Sequence, residues 1–177
     1  MAEPQKFENF INGQWKEPQG GNYYPDINPA DYSDIVGYFP LSTKNDVDEA
    51  IQSAHIAFKS WSHMLPAERA KYLEKFAQLL DQEKQRIGEA LCREEGKTIK
   101  EAVGEPSRGA AETSFFIGEG QRLEGITMPS DRKGVVSVAT RVPIGVVAAI
   151  SPWNFPFLTP VRKVIPALVF GNTVVFK

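Results

Sequence analysis

Two short apolar runs restrict the fold of this chain more than any other feature. Residues 146–150 (VVAAI) and 173–176 (TVVF) are almost wholly apolar, which is typical of parallel strands that are buried on both faces. Residues 158–170, between them, have helical character and end before Gly171. A strand, a helix and a strand within about thirty residues predict a βαβ unit, the opening of a doubly wound sheet.

Two parallel strands make an incomplete sheet. Their apolar faces and outer edges need cover that no other part of the sequence provides. We therefore expect residues 1–177 to be the front part of a larger α/β protein.

Three amphipathic helices are predicted before this unit. Apolar residues recur there every three or four positions, which is typical of helices that bury one face. The predicted helices span residues 43–61, 66–96 and 98–118. Pro66 can open the second helix because its missing N–H costs nothing there. Pro106 lies inside the third helix and should kink it.

Short β segments flank the helices. The dipeptide Asn12-Gly13 indicates a tight turn, and strands are predicted near residues 8–16 and 34–39, with extended segments between them. Apolar and polar residues alternate over residues 135–142, which predicts a half-exposed strand.

Composition excludes several classes of protein. Twenty basic and twenty-two acidic residues give a net charge of −2, so no nucleic-acid partner is predicted. No apolar stretch approaches the roughly 20 residues that span a bilayer, so no membrane partner is predicted either. The single cysteine, Cys92, excludes an internal disulfide, no metal site is predicted, and we expect a cytoplasmic protein.

The strongest chemical signal is the stretch SPWNFP at residues 151–156. It follows the first buried strand, at the end where open α/β sheets bind ligands. Two prolines stiffen the chain around Asn154, whose side-chain amide can donate to a developing oxyanion. Alternatively, Asn154 caps the helix that begins near Leu158, a common role for asparagine.

Six segments of the sequence resemble the NAD(P)-dependent aldehyde dehydrogenase superfamily. They are FINGQW, NPADYSDIVGY, REEGKT, TRVPIGVV, PWNFP and GNTVVFK, and together they extend the resemblance over essentially the whole chain. Within the superfamily the chain is most similar to bacterial semialdehyde dehydrogenases, particularly those acting on 2-oxoglutarate semialdehyde.

The resemblance implies roles for individual residues. Asn154 would be the oxyanion donor, Lys163 would lie near a proton-relay path, and Lys177 would hydrogen-bond the adenosine ribose of NAD or NADP. Four residues would line the nicotinamide-ribose side of the cofactor: Ile150, Ser151, Pro152 and Trp153. The choice between NAD and NADP is not readable from these residues.

The resemblance also implies a domain organisation. Residues 1–124 would be the N-terminal helical part of the cofactor-binding domain, and residues 144–177 the start of its Rossmann-like sheet. Residues 125–143 would be a β extension that pairs with another subunit of a homo-oligomer.

The cysteine nucleophile, the glutamate base and the catalytic domain would lie outside the chain. Cys92 is then expected to be a mostly buried structural residue. The complete enzyme would oxidise an aldehyde substrate, whereas residues 1–177 alone are predicted to be inactive. Two alternatives remain: a truncated chain that assembles with intact subunits through its β extension, and a free nucleotide-binding module.

Overall fold

The structure is a computed structural model that describes residues 4–177. The described residues form four helices and eight short strands. The helices are α1 (Lys44–Trp61), α2 (Pro66–Glu95), α3 (Ile99–Gln121) and α4 (Leu158–Val169). The strands are β1 (Asn9–Ile11), β2 (Gln14–Lys16), β3 (Tyr23–Ile27), β4 (Ile35–Pro40), β5 (Ile126–Pro129), β6 (Val136–Ala139), β7 (Val146–Ala149) and β8 (Thr173–Phe176).

The βαβ unit forms as predicted. Strands β7 and β8 are parallel, with Val146 opposite Thr173 and Ala149 opposite Phe176, and α4 connects them. The buried Asn172 side chain fixes the start of this unit, because its Oδ1 accepts from the N–H groups of Ile144 (2.8 Å) and Gly145 (3.2 Å). The predicted α/β fold class is confirmed.

The remaining strands form antiparallel pairs: β1 with β2, β3 with β4, and β5 with β6. Strand β3 was predicted only as an extended segment, since it contains Pro25 and follows Gly20 and Gly21. Within the described residues β3 pairs only with β4, and a proline is tolerated on such an edge strand.

The three predicted helices before the unit are confirmed as α1, α2 and α3. Helix α2 begins at Pro66 and ends where Gly96 adopts the left-handed φ of 77°. Helix α3 continues through Pro106 to Gln121, so the proline costs a backbone hydrogen bond without ending the helix.

The core lies between α2, α3 and α4. Its buried members are Ala70, Leu73, Ile117, Val161, Ile165 and Val169. The buried Arg69 on α2 donates through Nε to the backbone oxygen of Val169 (3.0 Å), where a cation is favourable at the carboxyl end of a helix. This packing fixes α4 relative to α2, with the amino end of α4 directed at the segment that follows β7.

Strand β6 differs from the prediction in length and burial. It covers four residues rather than 135–142, and β5 is exposed along its whole length. Val136 and Val138, which should lie on a buried face, are 71% and 63% exposed. Successive side chains of a strand point to opposite faces of the sheet. The alternating pattern therefore predicted one buried face, but the described residues cover neither face of this hairpin.

Candidate active site

The segment 151–157 connects β7 to α4 at the carboxyl end of the parallel strands. We call it the corner. Ligands of open α/β sheets bind at this end, and the side chains that the sequence singled out are accessible here. Pro152, Trp153 and Asn154 are exposed in the corner, as is Ile150 just before it.

Backbone hydrogen bonds bring Ser151 and Lys177 together. The N–H of Lys177 donates to Ala149 (2.8 Å), and the N–H of Ser151 donates to Lys177 (3.1 Å), so the ladder between β7 and β8 continues to its end. The Ser151 hydroxyl is buried and has no hydrogen-bond partner among the described residues. A buried polar atom without a partner is uncommon in folded proteins, and this hydroxyl lies at the edge of the sheet where ligands bind.

Asn154 does not cap α4. The carboxylate of Glu105, on α3, accepts through Oε2 from the N–H groups of Phe157 (3.2 Å) and Leu158 (3.0 Å). Among the described residues the Asn154 carboxamide makes no hydrogen bond, and only its backbone oxygen has a partner. The capping alternative is therefore wrong, and the amide is available to a ligand.

Lys97 connects the helices to the corner. Its Nζ donates to the Glu105 carboxylate, forms an ion pair with Glu95 at 2.7 Å and donates to the Asn154 backbone oxygen at 3.3 Å. It also lies 4.7 Å from the centre of the Phe155 ring, within range of a cation–π interaction. Burial lowers the pKa of Lys97, but the hydrogen bonds and charges of Glu105 and Glu95 raise it by more, so this pKa lies above its usual value.

Sequence reasoning missed this cluster. Glu95 lies at the carboxyl end of α2, where a glutamate is ordinarily solvated, yet its side chain is only 20% exposed and is ion-paired. Glu105, only 3% exposed, was not singled out. The available signal was a lysine directly after a helix stop, followed eight residues later by a glutamate on the next helix.

Lys163, on α4, lies against the end of β7. Its Nζ donates to the backbone oxygen of Ile150, and the side chain is exposed. The ammonium is thus next to the residue that precedes the corner.

Cys92 lies in the last turn of α2, where its backbone oxygen accepts from Gly96. It is half-buried, where a mostly buried structural residue was predicted, and it is not part of the corner. Residues 4–177 contain no group of three acidic, histidine or cysteine side chains placed to hold a metal ion. Over the same residues no helix is both long and apolar enough to cross a membrane.

Comparison with known proteins gives close matches along the whole chain. An α-ketoglutaric semialdehyde dehydrogenase of Bacillus subtilis is 46% identical over all 177 residues, and a malonate-semialdehyde dehydrogenase of the same organism is 39% identical. The crystal structure of an NADP-dependent glyceraldehyde-3-phosphate dehydrogenase from Bacillus halodurans superimposes with a TM-score of 0.91 at 37% identity, over 99% of this chain.

The chain spans about 36% of the length of the two curated relatives and 37% of the solved structure. The sequence profile described as "Aldehyde dehydrogenase family" matches residues 15–177. With the parallel βαβ unit and the corner at its carboxyl end, this match shows that the chain belongs to the aldehyde dehydrogenase family.

Proposed function

We propose that the protein containing this chain oxidises an aldehyde, of the semialdehyde class, to a carboxylate with NAD or NADP. The carbonyl would be attacked by a cysteine supplied outside residues 1–177, and a glutamate outside them would activate the water that hydrolyses the thioester. The observation that carries the proposal is the accessible Asn154 amide at the carboxyl end of β7, with α4 capped by Glu105 instead.

Asn154 is the proposed oxyanion donor. Attack on an aldehyde carbonyl moves negative charge to its oxygen, and a fixed amide N–H about 2.7–3.1 Å from that oxygen stabilises the charge. A neutral amide suits this role because it can donate a hydrogen bond to the oxyanion without giving up its proton. The amide stabilises the oxyanion effectively only if its orientation is fixed before the carbonyl is attacked.

The cofactor edge is proposed to consist of Ile150, Ser151, Pro152, Trp153 and Lys177. The buried unpartnered hydroxyl of Ser151 supports this assignment. When bound, the nicotinamide ring accepts the hydride released in the oxidation. The solved relative from Bacillus halodurans is NADP-dependent by name, and the proposal covers NAD and NADP alike.

Lys163 is proposed to act next to this edge. Its ammonium donates to the Ile150 backbone oxygen, so it can hold the end of β7, and we assign to it the place near the proton-relay path that the family resemblance implies.

The substrate class and location follow from the relatives and the chemistry. Two curated relatives act on semialdehydes by name, which supports a semialdehyde rather than an aromatic aldehyde. A cysteine nucleophile must stay reduced, so we place the enzyme in the cytoplasm.

The hairpin of β5 and β6 is the proposed oligomer contact. Its strands pair only with each other among the described residues. Its exposed valines and Ile126 (63% exposed) remain in contact with water unless another subunit packs against them. On this proposal residues 125–143 are a β extension, and residues 1–124 and 144–177 belong to the cofactor-binding domain.

The test is NAD(P)H formation by the complete protein with a panel of semialdehydes. We expect turnover with at least one semialdehyde and none from residues 1–177 alone. Turnover by residues 1–177 that survives Cys92→Ser, or no turnover by the complete protein with any aldehyde, would contradict the proposal.

A further inference from the structure

The amino end of α4 has no cap of its own. The N-cap residue Phe157 makes no side-chain hydrogen bond, and the first turn contains no acidic residue. The first N–H groups of a helix have no partner within the helix. Here the N–H groups of Phe157 and Leu158 are satisfied from another helix, by Glu105.

Glu105 is a buried carboxylate that needs compensating charge. A buried ion without partners is strongly unfavourable. Three features stabilise the negative charge of Glu105: the two N–H groups, the positive end of the α4 dipole, and the ammonium of Lys97. The cap of α4 and the ion pair with Lys97 therefore depend on one carboxylate.

Lys97 extends the same group of contacts to Asn154. Its side chain is only 12% exposed, and its Nζ reaches the Asn154 backbone oxygen and the face of the Phe155 ring. The chain is thus held at Asn154 itself by Lys97, and just after it, at residues 157–158, by Glu105.

We propose that Lys97 and Glu105 are positioning residues that fix the direction of the Asn154 amide, an inference that rests on the proposed oxyanion role of Asn154. They do not touch the reacting atoms. They act by restricting the corner, so that the amide donates to the oxyanion without first reorienting.

If Lys97 and Glu105 position Asn154 in this way, replacing either of them should change kcat more than KM. The contact between the Asn154 amide and the oxyanion forms in the transition state, so loosening it removes little ground-state binding. Misplacement of a catalytic group by a distant mutation can cost on the order of a hundredfold in rate.

The experiment uses the complete enzyme with Lys97→Met, which keeps the apolar stem, and Glu105→Gln, which keeps an acceptor for the two N–H groups but removes the charge. Lys100→Met is the matched control, because Lys100 is an exposed lysine of α3 that takes no part in the hydrogen bonds of Lys97 and Glu105. We expect Lys97→Met to lower kcat by roughly tenfold to a hundredfold with little change in KM, and Lys100→Met to change neither.

A double-mutant cycle separates positioning of Asn154 from a general loss of structure. If Lys97 acts through Asn154, Lys97→Met should have no further effect on kcat once Asn154→Ala is present. An equal effect of Lys97→Met in both backgrounds would overturn the inference.

Hydrogen exchange gives a second readout that does not depend on turnover. Peptides covering residues 154–160 should exchange faster in Lys97→Met and Glu105→Gln than in the parent enzyme, whereas peptides covering 146–150 should not change. If Asn154→Ala lowers kcat but Lys97→Met changes neither kcat nor exchange, the inference alone fails. If Asn154→Ala leaves kcat unchanged, the proposed function fails, and the positioning role fails with it.

Discussion

Replacing Gly88 by alanine tests the close contact of α2 with α3, the helix that carries Glu105. A Cβ at position 88 would lie 2.4 Å from Cγ2 of Val103 and 2.8 Å from its Cα and N atoms. Two of these atoms are backbone, so the contact is not relieved by rotating a side chain. Forcing such an overlap into a packed interface costs about 1–3 kcal/mol.

Gly104→Ala is the matched control. Gly104 lies on α3, and no heavy atom lies within 4 Å of a Cβ built there. Both substitutions gain the same helix propensity, about 0.8–1 kcal/mol. That gain cancels in the difference between the variants, so Gly88→Ala should be less stable than Gly104→Ala by about 1–3 kcal/mol.

Urea unfolding followed by circular dichroism measures both free energies of unfolding under the same conditions. Gly104→Ala should raise the free energy of unfolding, and Gly88→Ala should fall below the Gly104→Ala value by the stated amount. Equal stabilisation by both substitutions would refute the close approach of α2 to Val103.

Two further predictions concern charge and buried polar groups. Hydrogen bonds from Arg93 and Asn28 lower the pKa of the Asp34 carboxyl to about 2, so its stabilising contribution is present above the ordinary aspartate pKa and is lost as pH falls toward 2. An NMR titration should give a midpoint near 2 in the parent chain and a higher midpoint in Arg93→Gln, where only the Asn28 hydrogen bond remains to lower it; a midpoint unaffected by Arg93→Gln would contradict the pairing. Asn172→Ala removes the acceptor for the N–H groups of Ile144 and Gly145 and should lower the free energy of unfolding by about 1–3 kcal/mol. Asn45→Ala, at an exposed position on α1, should change it little, and equal effects in the two variants would count against the buried contacts.

Elements defined by a local pattern could be predicted from the sequence. The run TVVF gives β8 with the predicted bounds, and Pro66 and Gly96 mark the ends of α2 because both act on their own backbone. Strand β3 was not predicted as a strand, because Pro25 has no backbone N–H to donate to a ladder and is tolerated only where its nitrogen faces away from the partner strand.

Contacts between distant residues could not be predicted in the same way. Whether Asn154 caps α4 depended on Glu105, about fifty residues earlier in the chain, and no spacing rule links the two positions. The burial of Glu95 and Lys97 depends likewise on how α2, α3 and the corner meet. The sequence identified the corner as the candidate site, but it did not reveal the contacts that hold the corner in place.

The turnover number of Asn154→Ala in the complete enzyme tests the central claim most directly. Loss of an oxyanion donor predicts a fall in kcat of about 10²–10³-fold, equivalent to about 2.7–4 kcal/mol of transition-state stabilisation, with Asn45→Ala unchanged as the control. An unchanged kcat in Asn154→Ala would contradict the oxyanion role and, with it, the account of the corner as the catalytic part of this chain.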